Sequence, residues 1–454
     1  MVEESETFEL LQSVYHELGR GIRFTDQTHT LKRLVNFGTS TQWPVHGWYY
    51  FKEGFSPRLV ELMLERHLSS GDDRPTVLDP FCGSGTTVLA CQLAGVDSIG
   101  VEHNPFFVFL GRAKIHWHRY DPEKLEPLIQ ALLASRGEPT IAAPELSSFQ
   151  RLFPPENLRD LLLMKERIQQ VEDGLARQFL LVGLAAILER VSLARKEGKG
   201  LKFSRNPRRR VLGVREALAR KWGQMLDDLR RMRAFWDGSR DYDSLRAEIH
   251  RGDARDLARI EDGAVDLIVY SPPYLNSFDY TEVYKLELWL LDFVRTAEEF
   301  RDLRASALRS HLSVPPPRTD YLSYRPLEIL VEAVSQRELW NKRIPDMIRG
   351  YFDDMYLALR EQARVLKRGA ILVCVVANSS YARVPIPTDL LIARIGEMVG
   401  LRAQEIQIAR RMNTSSQQLA RYGALRQAVG ELVEPQGIVL RSYLRESAVI
   451  LEKV

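Results

Sequence analysis

The feature that most constrains this chain is a buried-strand pattern that ends abruptly. Val265-Asp266-Leu267-Ile268-Val269-Tyr270 is a short apolar run, and Ser271-Pro272-Pro273-Tyr274 follows it directly. Such a run, closed by a turn signal, reads as a strand buried in a parallel sheet. Two successive prolines cannot continue it, because each fixes φ and lacks a backbone donor. In open α/β sheets, ligands bind at the carboxyl edge of the strands. A hydroxyl, a rigid turn and an aromatic face are therefore expected together at that edge.

The turn directs carbonyl oxygens outward without internal partners. With Ser271 they can accept hydrogen bonds from an exocyclic amino group. Such a group on cytosine or adenine is a poor nucleophile, since its lone pair is delocalised into the ring. Acceptors on its N–H bonds draw the nitrogen toward tetrahedral geometry and localise that pair. Tyr274 offers a stacking face for a base, typically worth ~1–3 kcal/mol. A base inside a duplex must first be flipped out to reach such a pocket. Alone, the same tetrapeptide can equally be a strand terminator.

A second motif lies upstream. Val77-Leu78 reads as a short strand running into Asp79-Pro80-Phe81-Cys82-Gly83-Ser84-Gly85-Thr86-Thr87, with a helix from Val88 to Leu93. Gly83 and Gly85 allow the backbone to approach a ligand closely. No Lys-Ser/Thr follows the glycines, so this is not a nucleoside-triphosphate loop. The third glycine position of a dinucleotide fingerprint is Val88. Asp79 suits a ligand with a positive amino-acid end. The next strand, Ser98-Ile99-Gly100-Val101, ends in Glu102, where an acidic residue would meet a ribose hydroxyl pair.

The two motifs together resemble the S-adenosylmethionine-dependent amino-methyltransferases of DNA, the N4-cytosine/N6-adenine group. The resemblance implies a Rossmann-like α/β methyltransferase sheet, here with a largely helical insertion. It implies S-adenosyl-L-methionine as cofactor, held by Asp79, Phe81, Gly83, Gly85 and Thr86, with Glu102 on the ribose. It implies Ser271, Pro272, Pro273 and Tyr274 as the catalytic motif. Phe55-Ser56-Pro57-Arg58 is similar to a family segment that closes over the cofactor, and Asp253 of Arg251-Gly252-Asp253-Ala254 to a residue beside the adenine. Asn276 to Glu282 and Leu286-Glu287-Leu288-Trp289 also look like members of this group. Serine at the first motif position leans toward cytosine N4 within the family. Many members place the SPPY motif before the glycine loop; this chain has the reverse order, which alters connectivity more than chemistry.

Composition sets bounds. The chain has 454 residues, 45% hydrophobic, and a net charge of only +3. It can bury a large core, and any nucleic-acid surface must be local. Cys82, Cys91 and Cys374 form no even framework and no CxxC pair, which favours a reducing cytoplasm and no metal site. None follows a proline, against the nucleophilic cysteine of a cytosine C5 enzyme. The acidic start is unlike a signal peptide, and the longest apolar stretch, Phe179 to Leu188, is too short to span a bilayer.

Along the chain, residues 1–118 read as an N-terminal segment plus the first half of the catalytic α/β unit. Trp43, His46, Trp48, Tyr49, Tyr50 and Phe51 read as core, with a pocket wall as the alternative. Residues 119–246 turn helical, at Pro155 to Val171, Gly174 to Ala194 and Val214 to Trp236. Within this insertion a basic loop is expected, and Arg195, Lys199, Lys202, Arg205, Arg208, Arg209 and Arg210 are candidates for phosphate contact. Residues 247–292 resume the catalytic unit. Residues 293–345, with Pro315-Pro316-Pro317, form a second insertion, a lid or target-recognition element. Residues 346–454 complete the sheet, with strands at Ile371 to Ala377, Ala403 to Ile408 and Ala448 to Leu451.

The functional expectation is a DNA amino-methyltransferase, first of cytosine N4. Adenine N6 is the alternative, then an RNA guanine N2 enzyme, then a non-catalytic nucleic-acid-binding protein on the same scaffold. The expected partners are DNA and a cognate restriction or defence protein, with no membrane.

Overall fold

The computed structural model describes residues 2–68, 74–146, 149–197, 200–203, 210–235, 241–316, 322–382, 384–411 and 445–454. Strands among them are β1 (Arg23–Asp26), β2 (Thr76–Asp79), β3 (Asp97–Glu102), β4 (Ala194–Glu197), β5 (Gly200–Phe203) and β6 (Ala247–Arg251). There follow β7 (Val265–Tyr270), β8 (Leu366–Ala377), β9 (Ser379–Tyr381), β10 (Val384–Ile386), β11 (Leu401–Arg411) and β12 (Arg445–Lys453).

Eight strands form one sheet in the order β1-β11-β12-β8-β7-β2-β3-β6. From β6 through β8 all neighbours are parallel, β12 is antiparallel to both β8 and β11, and β1 is parallel to β11. This is the Rossmann-like α/β sheet expected from the sequence. The SPPY strand, β7, lies next to the glycine-loop strand, β2, at the middle. The chain runs from β2 to β3 on one side and later adds β7 on the other, so the two motifs flank a point where the winding changes sides.

The apolar runs are continuous because both faces are covered. Leu267 and Val269 pack with Val373, Val375 and the helix Pro57–His67 on one face. Ile268 and Tyr270 pack with Leu372, Cys374 and the helices Ile344–Val365 and Thr388–Met398 on the other. A third core joins the aromatic segment to the helical insertion: Trp48, Tyr49 and Phe51 are buried with Phe179 and Trp222. The cluster from Trp43 to Phe51 is thus largely core, although Tyr50 is exposed.

One element departs from the sequence reading. Residues 195–210 do not begin as a loop, since β4 and β5 pair as an antiparallel hairpin. The preceding helix stops at Val191 rather than Ala194. The strand alternation is there, but charged residues mask it: Arg195 faces out while Lys196 turns inward. Lys199, Arg205, Arg208, Arg209 and Pro317 lie outside the described residues. Among the described residues no helix is long and apolar enough to cross a membrane, and no group of three metal-ligating side chains is placed to hold an ion.

Candidate active site

At the end of β2 the chain turns through the glycine loop. Asp79 Oδ1 accepts from the Phe81 N–H (3.0 Å) and Oδ2 from the Thr87 hydroxyl (2.5 Å), so this buried carboxylate ties the loop to the first turn of the helix Thr86–Ala94. Burial pushes Asp79 up to about 7, against those two donors. Gly83 has φ +49°, and a Cβ there would meet the Phe51 ring at 2.9 Å. Glu102, at the end of β3, accepts from the Gly83 N–H (2.8 Å) and the Asn104 N–H (2.7 Å). Burial raises it to about 7 as well.

Gly85 is not where the motif alone would put it. It begins the helix at φ +79°, and a Cβ would strike Gly111 Cα at 2.9 Å and Ile249 Cδ1 at 3.2 Å. Its smallness serves helix packing, because the missing Cβ points into the protein and not toward a ligand. Thr86 is buried in the same turn. Phe55 is buried in an apolar cluster with Leu31 and Leu59, and Ser56 caps the helix Pro57–His67 by accepting from the Arg58 N–H. The cleft wall is formed instead by Phe51 and Glu53, a few residues earlier.

One open cleft connects the two motifs, with about 920 Å³ of empty space counting its mouth. Phe81, Gly83, Glu102 and Asp253 line one part, and Ser271, Pro273 and Tyr280 another. The Phe81 ring stacks on Tyr270, the residue before Ser271, with centroids 5.3 Å apart. Ser271 Oγ lies 3.0 Å from the Val375 carbonyl oxygen, to which it can donate, and 3.2 Å from the Tyr274 hydroxyl. That hydroxyl donates to Glu446, at the start of β12, and Glu446 pairs with Arg410 of β11. Pro272 is buried behind the turn.

Arg255, Arg309 and Asp354, which hold the cleft together, carry no sequence signal. Asp253 lines it, but its carboxylate accepts from Arg255 Nε and Nη2 (2.9 and 2.6 Å). Arg255 also donates to Asp354 Oδ1 (2.8 Å) and to the Ser306 carbonyl (2.8 Å). Arg309 Nε and Nη2 donate to the same Asp354, at 3.0 and 2.6 Å, and Asp354 is fully buried. This network holds residues 306–311 of the second insertion against the cleft, where Ser310 and His311 form part of the wall. His311 is 3% exposed, and burial lowers its basicity.

The hairpin sits beside the cleft. Lys196 pairs with Glu287 (2.5 Å), donates to the Tyr49 hydroxyl (2.6 Å) and lies 4.1 Å from the Tyr284 ring centroid. The Tyr284 hydroxyl donates to Glu53 of the cleft wall (2.5 Å). Arg195 and Lys202 face each other across the hairpin, both exposed, and neither has a carboxylate partner among the described residues. Arg210 lies 3.6 Å from Glu216.

Residues 26–111 match a family model described as DNA methylase. The type II methyltransferase M.BsoBI of Geobacillus stearothermophilus is 29% identical, over 90% of this chain and 89% of that protein. The type II methyltransferase M.AvaI of Nostoc sp. is 27% identical, over 86% of each. Among solved structures, a geranyl diphosphate methyltransferase in complex with SAM is 10% identical, with a TM-score of 0.31 over 88% of this chain and 85% of that one. The chain therefore has a Rossmann-like α/β sheet whose glycine-loop half matches the DNA methylase family, and along most of its length it is similar to type II methyltransferases.

Proposed function

We propose that this chain is a DNA methyltransferase acting on an exocyclic amino group, cytosine N4 first and adenine N6 as the alternative. The observation that carries the reading is the single cleft lined by Glu102 and Gly83 together with Ser271 and Pro273. S-adenosyl-L-methionine is the cofactor whose chemistry fits that cleft. Glu102 offers carboxylate lone pairs to a ribose diol. Asn104 lines the cleft too, and its buried Nδ2 has no hydrogen-bond partner among the described residues. Phe51 and Phe107 give apolar walls, and Asp79 fixes the loop beneath. When bound, this cofactor supplies an electrophilic methyl group.

The protein's part is positioning and electrostatics. Ser271 Oγ and the carbonyls of the proline turn accept the amino protons, Pro273 and Tyr280 border the space for a flipped base, and the loop 306–311 narrows it. Arg195 and Lys202 contact phosphates. Like charges directly opposite on a hairpin repel, and an anion between them relieves that repulsion. A cognate restriction or defence protein completes the proposal as a functional partner.

The test is to incubate the protein and cofactor with DNA and, separately, RNA, digest to nucleosides and identify the methylated base. N4-methylcytosine in DNA supports the first reading, and N6-methyladenine replaces it with the second. Methylated guanine in RNA alone, or cofactor binding with no transfer, overturns both.

A further inference from the structure

Behind Ser271 runs a chain of polar groups that the cleft itself does not display. Ser271 Oγ is 3.2 Å from the Tyr274 hydroxyl, and that hydroxyl donates to Glu446. Glu446 is 1% exposed, with Arg410 Nε on its other oxygen. Tyr274 itself is not part of the cleft wall as Ser271 and Pro273 are. A tyrosine needed only for its ring would not require a buried carboxylate on its hydroxyl, and burying that carboxylate is costly.

We propose that Glu446, reached from Ser271 through the Tyr274 hydroxyl, receives the proton that the target amino group loses on methylation. The proposal rests on the amino-methyltransferase reading above. As the nitrogen lone pair forms the N–C bond, the S–C pair stays on sulfur, and the nitrogen becomes cationic and acidic. Its N–H breaks toward Ser271 Oγ, the Ser271 proton passes to the Tyr274 oxygen, and the Tyr274 proton passes to Glu446. One N–H bond is lost, one carboxylic O–H is gained, and both hydroxyls are regenerated. Burial raises Glu446 above the ordinary carboxylate range, against Arg410 and the Tyr274 hydroxyl, which lower it. Glu446 never touches the base. It acts through the two hydroxyls.

Tyr274→Phe keeps the ring and cuts the chain, and Glu446→Gln keeps the shape and removes the base. Single-turnover methyl transfer is measured on full-length protein with a DNA duplex carrying a site mapped in methylated genomic DNA. Cofactor affinity, duplex affinity and thermal unfolding are measured alongside. Each variant should slow transfer about a hundredfold, the scale of general-base catalysis, with both affinities held. The double variant should be no slower than either single one, since the groups act in series. A wild-type rate in Tyr274→Phe overturns the proposal and leaves only a ring. Multiplying losses overturn it in favour of separate roles. If Glu446→Gln fails to fold, the Tyr274→Phe rate decides. Wild-type protein that methylates no DNA would sink the functional reading, a different failure from a fast Tyr274→Phe.

Discussion

The two halves of the cleft are built in opposite ways. The glycine-loop half is local: Asp79 and Thr87 are 8 residues apart, and Gly83 and Glu102 are 19 apart. The SPPY half is assembled from distant segments: Ser271 meets Val375 across 104 residues, Tyr274 meets Glu446 across 172, and Arg309 meets Asp354 across 45. One half is a loop held within a single β2–helix–β3 unit. The other exists only once the sheet and the second insertion have closed around it. Damage to the first should therefore show in cofactor binding, and damage to the second in folding and transfer.

The largest effect should come from Asp354→Ala. It strips partners from Arg255 and Arg309 in a buried network. Arg255 keeps Asp253 and Arg309 keeps Asp353, so the loss should fall near the low end of the roughly 3–5 kcal/mol typical of breaking a buried pair. Urea unfolding should show that loss, with the surviving folded protein still binding cofactor but failing to transfer. Equal loss of cofactor affinity would break the distinction between the halves.

Gly85→Val comes next. Gly85 is the exception within the first half, since it packs behind the loop: overpacking against Gly111, on the order of 1–3 kcal/mol, should appear as lost stability. A variant of wild-type stability with abolished cofactor binding would mean that the side chain points toward the ligand after all.

Glu102→Gln should weaken cofactor binding by roughly 1.5–3 kcal/mol, the worth of hydrogen bonds to a charged group, with transfer from saturating cofactor little changed. The sign of the pH dependence follows from Asp79 and Glu102, both raised to about 7. A carboxyl raised in the folded state stabilises the free protein fully below its unfolded pKa, and that contribution is lost as pH rises through about 7. Ligand hydroxyls prefer the Glu102 carboxylate, so cofactor affinity should climb over the same window. Calorimetry across about pH 6 to 8 checks both directions, and Glu102→Gln should flatten the slope.

The smallest effect belongs to the hairpin. Replacing Arg195 and Lys202 together by Ala should weaken binding alike on specific and random duplexes and reduce the salt slope by about 2. An unchanged slope returns both to a solvated surface.

The central sheet was readable because Leu267–Tyr270, Ile371–Ala377 and Ala448–Leu451 are unbroken apolar runs, and the glycine loop because its residues contact near neighbours. The hairpin was not, because Ala-Arg-Lys-Glu looks like solvent-exposed charge, and only the docking of Lys196 on Glu287 and Tyr284 makes it a strand. Arg309 and Asp354 were equally silent. An arginine in one insertion and an aspartate on a long helix have no spacing that announces a pair. Tyr274 was legible as part of a motif but not in its hydroxyl's partner. Gly85 reads from the sequence as a point of close ligand approach, yet the crowding around it comes from Gly111 and Ile249, which no local pattern reveals.

The position of β12 has a consequence for how the molecule is made. This strand fills the gap between β8 and β11, and both of those leave the ribosome before it. Until it arrives, two strand edges stand open, and such edges invite pairing with other chains. Glu446 enters with the first residues of that strand. The same insertion event that seals the sheet against aggregation also delivers the carboxylate behind Ser271, so a nascent chain passes from its most vulnerable state to a complete cleft in one step.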